Sequence, residues 1–189
     1  MRVIAGYAKG RSLKSVPGKN TRPTTDKVKE SIFNLIAPYL KGGIVLDLFA
    51  GTGGLGIEAL SRGMDQAVFI DHDRRSIETV HYNLEVSGFK DQAEVYRNDA
   101  QRALHVLAKR KIVFDLIFLD PPYKLAIVEK LIKTMIQNHL LNKDALIVIE
   151  HDAVATLPEQ VDSLFVIKRA VYGNTGITIY KETDQGQWE

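Results

Sequence analysis

Apolar residues along this chain recur at two different periods. Val28, Ile32, Leu35 and Ile36 follow the three-and-four spacing of a helix that runs to about Tyr39. Thr25 or Asp26 stands where an N-cap is needed, and Lys41-Gly42-Gly43 closes the segment. Short apolar runs then alternate with helical stretches. Strands are expected at 44–49, 67–70, 93–96, 114–119 and 145–149, with helices at about 55–61, 74–86, 100–109 and 127–138. A strand–helix alternation of this regularity predicts an α/β protein with a parallel, doubly wound sheet covered by helices.

Both ends depart from that alternation. Residues 3–7 and 13–16 are short β-like pieces around Ala8-Lys9-Gly10-Arg11, which predicts a basic hairpin closed off by Pro17-Gly18-Lys19-Asn20. Near the other end, β-rich runs at 164–171 and 177–181 flank Tyr172-Gly173-Asn174-Thr175-Gly176. That pattern predicts an antiparallel hairpin added to the sheet.

Charge sharpens the reading of the N-terminal segment. The net charge of the 189 residues is only +2, yet residues 1–29 carry eight Lys/Arg against one acid, a net of +7. The remainder carries 17 bases against 22 acids, a net of −5. A basic arm on a mildly acidic body suggests contact with a phosphate backbone, with Arg2, Lys9, Arg11, Lys14 and Arg22 as the contacting residues. A solvated tail is the plainer alternative for these charges. The length fits one domain with a substantial core, and 45% hydrophobic with 25% charged residues is ordinary for a globular protein.

Cysteine is absent, which excludes disulfides, thiolate metal sites and cysteine nucleophiles. The five histidines show no metal-ligand spacing, so no metal is expected. Apolar runs fall short of the roughly 18–20 residues of a membrane span, and the basic N-terminus lacks the apolar stretch of a secretory signal. A cytoplasmic location, no membrane partner and a monomeric state are the default expectations.

Two motifs carry chemistry. Gly51-Thr52-Gly53-Gly54-Leu55-Gly56 follows the first strand and opens a helix, and Asp71 lies 20 residues beyond Gly51 at the end of the second strand. Read literally this is a nucleotide turn, with glycines for close approach and an acid for ribose hydroxyls. Asp47, four residues before Gly51, would repel a dinucleotide's pyrophosphate. It would attract the ammonium and sulfonium of S-adenosylmethionine, whose carboxylate can use the N–H groups of the turn. Asp99, just before Ala100, could accept from an adenine amine, cap the following helix, or do both.

The second motif is Asp120-Pro121-Pro122-Tyr123, directly after the fourth strand. The prolines stiffen the turn and leave carbonyls free, Asp120 adds a charged acceptor, and Tyr123 offers a stacking face. Acceptors and a ring at one spot suit the exocyclic amine of a nucleobase. The tetrapeptide itself accepts adenine or guanine.

Asp47-Leu48-Phe49-Ala50-Gly51-Thr52-Gly53, Asp71, Asp99 and Asp120-Pro121-Pro122-Tyr123 resemble the ordered motifs of class I S-adenosylmethionine-dependent methyltransferases that act on amino groups. The segment from Arg22 through Pro23, Thr24 and Thr25 to Asn34, with Arg2-Val3-Ile4-Ala5-Gly6 and Tyr172-Gly173-Asn174-Thr175, is similar to the RsmD family. The tail beyond Lys181 has no counterpart in that pattern. The resemblance implies one Rossmann-like methyltransferase domain over residues 1–189, with the basic hairpin at 1–21 and the catalytic core at 22–189. It implies methylation of the N2 amine of a guanine, guanine 966, in the 16S RNA of the small ribosomal subunit.

Asp120, Pro121, Pro122 and Tyr123 are then the catalytic group. Asp47, Phe49, Gly51, Gly53, Asp71, Asp99 and Ala100 are the cofactor-binding group. Arg22 and Thr24 could contact either cofactor or RNA. An adenine-N6 DNA methyltransferase is the nearest alternative, since it shares both motifs. A noncatalytic RNA-binding module and a nicotinamide-dependent oxidoreductase fit the acids less well.

Overall fold

The computed structural model describes residues 1–18, 24–121 and 125–183. Arg22, Pro122, Tyr123 and the end of the tail, from 184 onward, lie outside them, as does the expected boundary at 21–22. Eight strands form one sheet in the order β3-β2-β1-β4-β5-β8-β7-β6. The first five are β1 (Ile44–Asp47), β2 (Gln66–Asp71), β3 (Ala93–Arg97), β4 (Phe114–Leu119) and β5 (Leu141–Asp152), all paired in parallel. β6 (Gln160–Val161), β7 (Leu164–Tyr172) and β8 (Thr175–Glu182) extend the sheet by antiparallel pairing, with β8 beside β5.

Helices α1 (Asp26–Ile36), α2 (Gly54–Ser61) and α3 (Arg74–Ser87) cover one face, and α4 (Ala100–Lys109) and α5 (Leu125–Gln137) the other. Alternation along the strands sorts the core into two layers. Val45, Phe69, Phe118 and Val148 pack under α1–α3, whereas Leu46, Ile70, Ile117 and Ile149 pack under α4 and α5. The parallel part of the sheet is thus buried on both sides, which is why its strands read as continuous apolar runs.

The expected elements are present, with shifted ends. β1 stops at Asp47 rather than at Phe49, and β5 is longer than 145–149 in both directions. Thr25 is the cap of α1, its hydroxyl accepting from Val28 N at 3.2 Å. The two-residue β6 has too few residues to show a period.

The basic N-terminal segment reverses as expected, but its two arms meet through a single antiparallel bridge, Arg2 with Ser12, instead of along regular strands. The reason lies in α2. The carboxylate of Glu58 accepts from Ile4 N at 2.9 Å and Ala5 N at 3.0 Å, which takes the donors that a ladder would use. Tyr7 N donates to Ser61 O and Ala8 N to Ser61 Oγ. Gly6 lies so close to α2 that a Cβ there would sit 1.7 Å from the Ser61 carbonyl, and its φ is +81°. On the far side of the loop, Asn83 of α3 holds Lys14 through both its N–H and its carbonyl.

Glu58 has no exposed surface and also pairs with Arg62 Nε at 2.9 Å and Lys29 Nζ at 3.5 Å. Lys29, equally buried, donates to Arg2 O at 2.5 Å. Burial depresses the Lys29 ammonium below its ordinary value despite the neighbouring carboxylate. A buried carboxylate with four donors from three segments is a structural joint. Replacing Glu58 with Ala would leave Lys29 buried without its counter-charge, and such losses cost about 3–5 kcal/mol. Urea unfolding of Glu58→Ala is expected to show a loss in that range, with limited proteolysis cutting first within residues 1–16. Stability within about 1 kcal/mol of the parent would show that the arm is held by other means.

Candidate active site

The site forms because β1 is short. The order β3-β2-β1-β4-β5 reverses direction between β1 and β4, and at such a switch point the connections leave a crevice at the carboxyl edge of the sheet. Asp47 is level with Phe69 on one side and Phe118 on the other. Asp71 and Asp120 each lie two residues further along their strands, one pleat higher on the same face. Leu119, the last residue of β4, is level with Ile149, so Asp120 just past β4 and Glu150 within β5 are the next residues along each segment. β2, β1, the segment leaving β4, and β5 thus bring Asp71, Asp47, Asp120 and Glu150 to one edge of the sheet.

A cavity of about 300 Å3 opens above Asp47. Its walls include Phe49, Ala50, Gly51 and Thr52 of the glycine turn, Asp120 across the crevice, and Lys29 of α1. Met1, Ser15 and Val16 of the N-terminal arm close another side. Met1 Sδ is 3.7 Å from the hydroxyl of Thr52, so the arm touches the glycine turn directly.

The turn itself is fixed by the acids beneath it. Gly51 N donates to Asp71 Oδ2 at 2.9 Å, and Gly56 N, in the first turn of α2, donates to Asp47 Oδ2 at 3.1 Å. Gly51 has a φ of +55° and nothing within 4 Å of the position a Cβ would take, so the backbone there faces open space. Asp71 also accepts from Asp73 N at 2.9 Å. The second strand end and the glycine turn are therefore one hydrogen-bonded unit.

Asp47 is 3% exposed, and its carboxyl is pushed up to about 8. Burial is the largest cause, opposed by the Gly56 N–H and reinforced by the charges of Asp120 and Asp71. Asp120 opens to the cavity mouth yet is ringed by protein. Lost hydration and then the charge of Glu150 push it up to about 7. Glu150 is also raised, by burial, against a hydrogen bond from Thr24 Oγ1 to its Oε2 at 2.6 Å. Such a crevice favours a cation: a positive group placed above Asp47 lets the acids ionise without repelling one another.

Among the residues read from the sequence, Asp47, Phe49, Gly51 and Asp120 meet at this cavity, and Asp71 supports it from below. Gly53 caps α2 with a φ of +77° behind Gly51. Asp99 caps α4 by accepting from Arg102 N at 3.1 Å, and it stands with Ala100 at the carboxyl end of β3, outside the cavity lining. Pro121 follows Asp120 at the rim. On the arm, Lys9 and Arg11 are exposed, Arg2 pairs with Asp26 at 3.6 Å, and Lys14 lies 5.1 Å over the ring of Tyr82. Sequence reading missed Met1, Ser15, Val16, Lys29 and Glu150. For Lys29 a signal existed, since it shares the helical spacing of Ile32, Phe33 and Ile36.

This sheet order, with its glycine turn and antiparallel β8, is the Rossmann-like fold of class I methyltransferases. The family model described as "Conserved hypothetical protein 95" matches residues 1–181. The chain belongs to this family, the RsmD family of methyltransferases. YlbH of Bacillus subtilis (strain 168), named as an inferred rRNA methyltransferase, is 55% identical over 182 residues, 96% of this chain and 99% of its own. Ribosomal RNA small subunit methyltransferase D of Escherichia coli (strain K12) is 32% identical over 187 residues, 99% of this chain and 92% of its own. The solved structure of yhhF from Escherichia coli superposes with a TM-score of 0.84 at 31% identity, covering 98% of this chain and 99% of that one.

The raised acids have a measurable consequence without any ligand. An ordinary aspartate releases its proton near 3.8, whereas Asp47 in the fold releases it at about 8. Between those values the folded state binds more protons than the unfolded chain, so unfolding free energy falls as pH rises. Thermal melting from about pH 5 to about pH 8 is expected to show a falling Tm, with a shallower slope in Asp47→Asn. An unchanged slope in that variant would mean that Asp47 ionises freely in the fold.

Proposed function

We propose that the protein transfers a methyl group from S-adenosylmethionine to the N2 amine of a guanine in small-subunit ribosomal RNA. The observation that carries this reading is the pair Asp47 and Asp120, one pleat apart across the switch point and opening on one cavity walled by a basic arm. The names of the full-length relatives, rRNA methyltransferases, support the RNA class. Guanine is favoured by the resemblance to the RsmD family.

The cavity fits the donor. Asp47 and its neighbours favour a positive group, Gly51 leaves its backbone open for close approach, and Phe49 adds an apolar wall. Asp71 holds the turn and keeps acceptor capacity for ribose hydroxyls, and Asp99 stands at the next strand end for the adenine amine. When bound there, the donor supplies an electrophilic methyl group on a sulfonium.

The chain's own residues then act on the target amine. A guanine N2 lone pair is delocalised into the ring and is weakly nucleophilic. Asp120 accepts a hydrogen bond from one N2 proton, and a backbone carbonyl beside Pro121 accepts from the other. Two acceptors so placed favour a pyramidal nitrogen with its lone pair directed outward. As positive charge develops on that nitrogen, Asp120 stabilises it and receives the departing proton. The target base is unstacked to reach this depth, with Tyr123 as the ring it would stack on. On the arm, exposed Lys9 and Arg11 meet the RNA backbone, and Tyr7, 90% exposed beside them, adds a flat face.

Asp120→Ala is expected to keep donor affinity and to lose about 100- to 1000-fold in kcat. Near-normal turnover would overturn the mechanism. Labelled donor offered with small subunits, naked ribosomal RNA and DNA, followed by nucleoside analysis, is expected to yield N2-methylguanosine. N6-methyladenine in DNA would establish the alternative instead. Lys9→Glu with Arg11→Glu is expected to weaken RNA binding and flatten its salt dependence. Unchanged affinity across a salt series would remove the arm from the interface.

A further inference from the structure

Glu150 is unused by the mechanism above. It nevertheless follows the last β4–β5 pair, Leu119 with Ile149, as Asp120 does on the other side, and its charge acts on Asp120. Thr24 Oγ1 holds one of its oxygens, Oε2, at 2.6 Å. Glu150 lines a second cavity of about 410 Å3, next to the first, walled also by Thr25, Val28, Tyr172 and Asn174. Asp120 thus lines one cavity and Glu150 the other, and Thr24 is common to both.

A flat base presenting its amine to Asp120 brings an adjoining ring nitrogen toward Glu150. The protonation of that nitrogen distinguishes the bases. In guanine the N2 amine is flanked by N3, an acceptor, and by N1, which carries a hydrogen and donates from the Watson–Crick edge. In adenine, N1 beside the N6 amine is an acceptor, and so is N3 of cytosine beside its N4 amine. A carboxylate accepts from guanine N1–H and repels the lone pair of the other two.

We propose that Glu150 is the specificity-determining residue for guanine, its other carboxylate oxygen, Oε1, accepting from N1–H while Asp120 receives the N2 amine. This rests on the assignment of guanine N2 methylation and explains how a tetrapeptide that accepts either purine becomes selective. The second cavity is the space the ring occupies. Thr24 fixes the rotamer of Glu150, and the hairpin turn at Gly173 and Asn174 forms the outer wall.

The test uses the full-length protein and unmethylated ribosomal RNA carrying either guanine or 2-aminopurine at the target. 2-Aminopurine keeps the N2 amine but presents N1 as an acceptor and lacks O6. The parent protein is expected to prefer guanine by at least about 100-fold in kcat/KM. Glu150→Gln, whose amide can donate to an acceptor N1, is expected to lose about 10-fold or more on guanine and to narrow the preference by about 10-fold. Its melting temperature and donor affinity report whether the fold and first cavity survive.

Equal use of both bases by the parent protein would overturn the proposal while leaving guanine N2 methylation standing. An undiminished preference in folded Glu150→Gln would do the same. Methylation of adenine N6 by the parent protein would overturn both readings together.

Discussion

One buried carboxylate organises the half of the molecule that matters for function. Glu58 reaches from α2 to the backbone of residues 4 and 5, to Arg62 on its own helix and to Lys29 on α1. Those bonds act with Ser61 and Asn83, which hold residues 5, 7, 8 and 14, to set Met1 against the glycine turn and Ser15 and Val16 on the cavity wall. A charged group in such a place is costly to bury unless every lone pair is used. Here the donors come from three separate segments, so the cost is offset only when all three are in place. Arm, α1 and α2 therefore form together.

The acids at the strand ends obey the opposite logic. Asp47, Asp120 and Glu150 are placed where their charges disfavour one another, and among the described residues little neutralises them. Lys29 is near but is committed to Glu58 and the Arg2 carbonyl. Such an arrangement is poor for the stability of the empty protein and favourable for recognition of a cation and of N–H donors. The short β1 makes it possible. Had the strand continued past Asp47, its backbone would have filled the space above that carboxylate.

Much of this was legible in the sequence. The alternating periods located the helices and most of the strands, and the motifs put Asp47, Gly51, Asp71 and Asp120 at strand ends where a switch point forms. What stayed hidden depended on pairing between distant residues. Lys29 counted as one more cation of the basic arm until its place on the apolar face of α1 buried it. Glu58 lies in a helix that is buried on every side, so no amphipathic contrast singled it out. Glu150 follows an apolar run and carries no motif. Only the register of β4 against β5 sets it beside Asp120. The hairpin expected at the N-terminus is present but short, since side chains of α2 and α3 take up backbone groups on either side of its Arg2–Ser12 bridge.

The arm is attached through its main chain as well as through the buried side chains of Val3, Ala8, Leu13 and Val16. Residues 4, 5, 7, 8 and 14 donate backbone N–H groups, and Ala5 and Lys14 accept through backbone carbonyls, so these hydrogen bonds are indifferent to most side chains the arm carries. Gly6, in close contact with Ser61, and the buried apolar residues are the positions that cannot vary freely. The outward residues Tyr7, Lys9 and Arg11 can therefore drift in identity and charge without loosening the wall behind them. A surface of that kind can be retuned, by evolution or by design, to a different RNA contour while the catalytic crevice stays as it is.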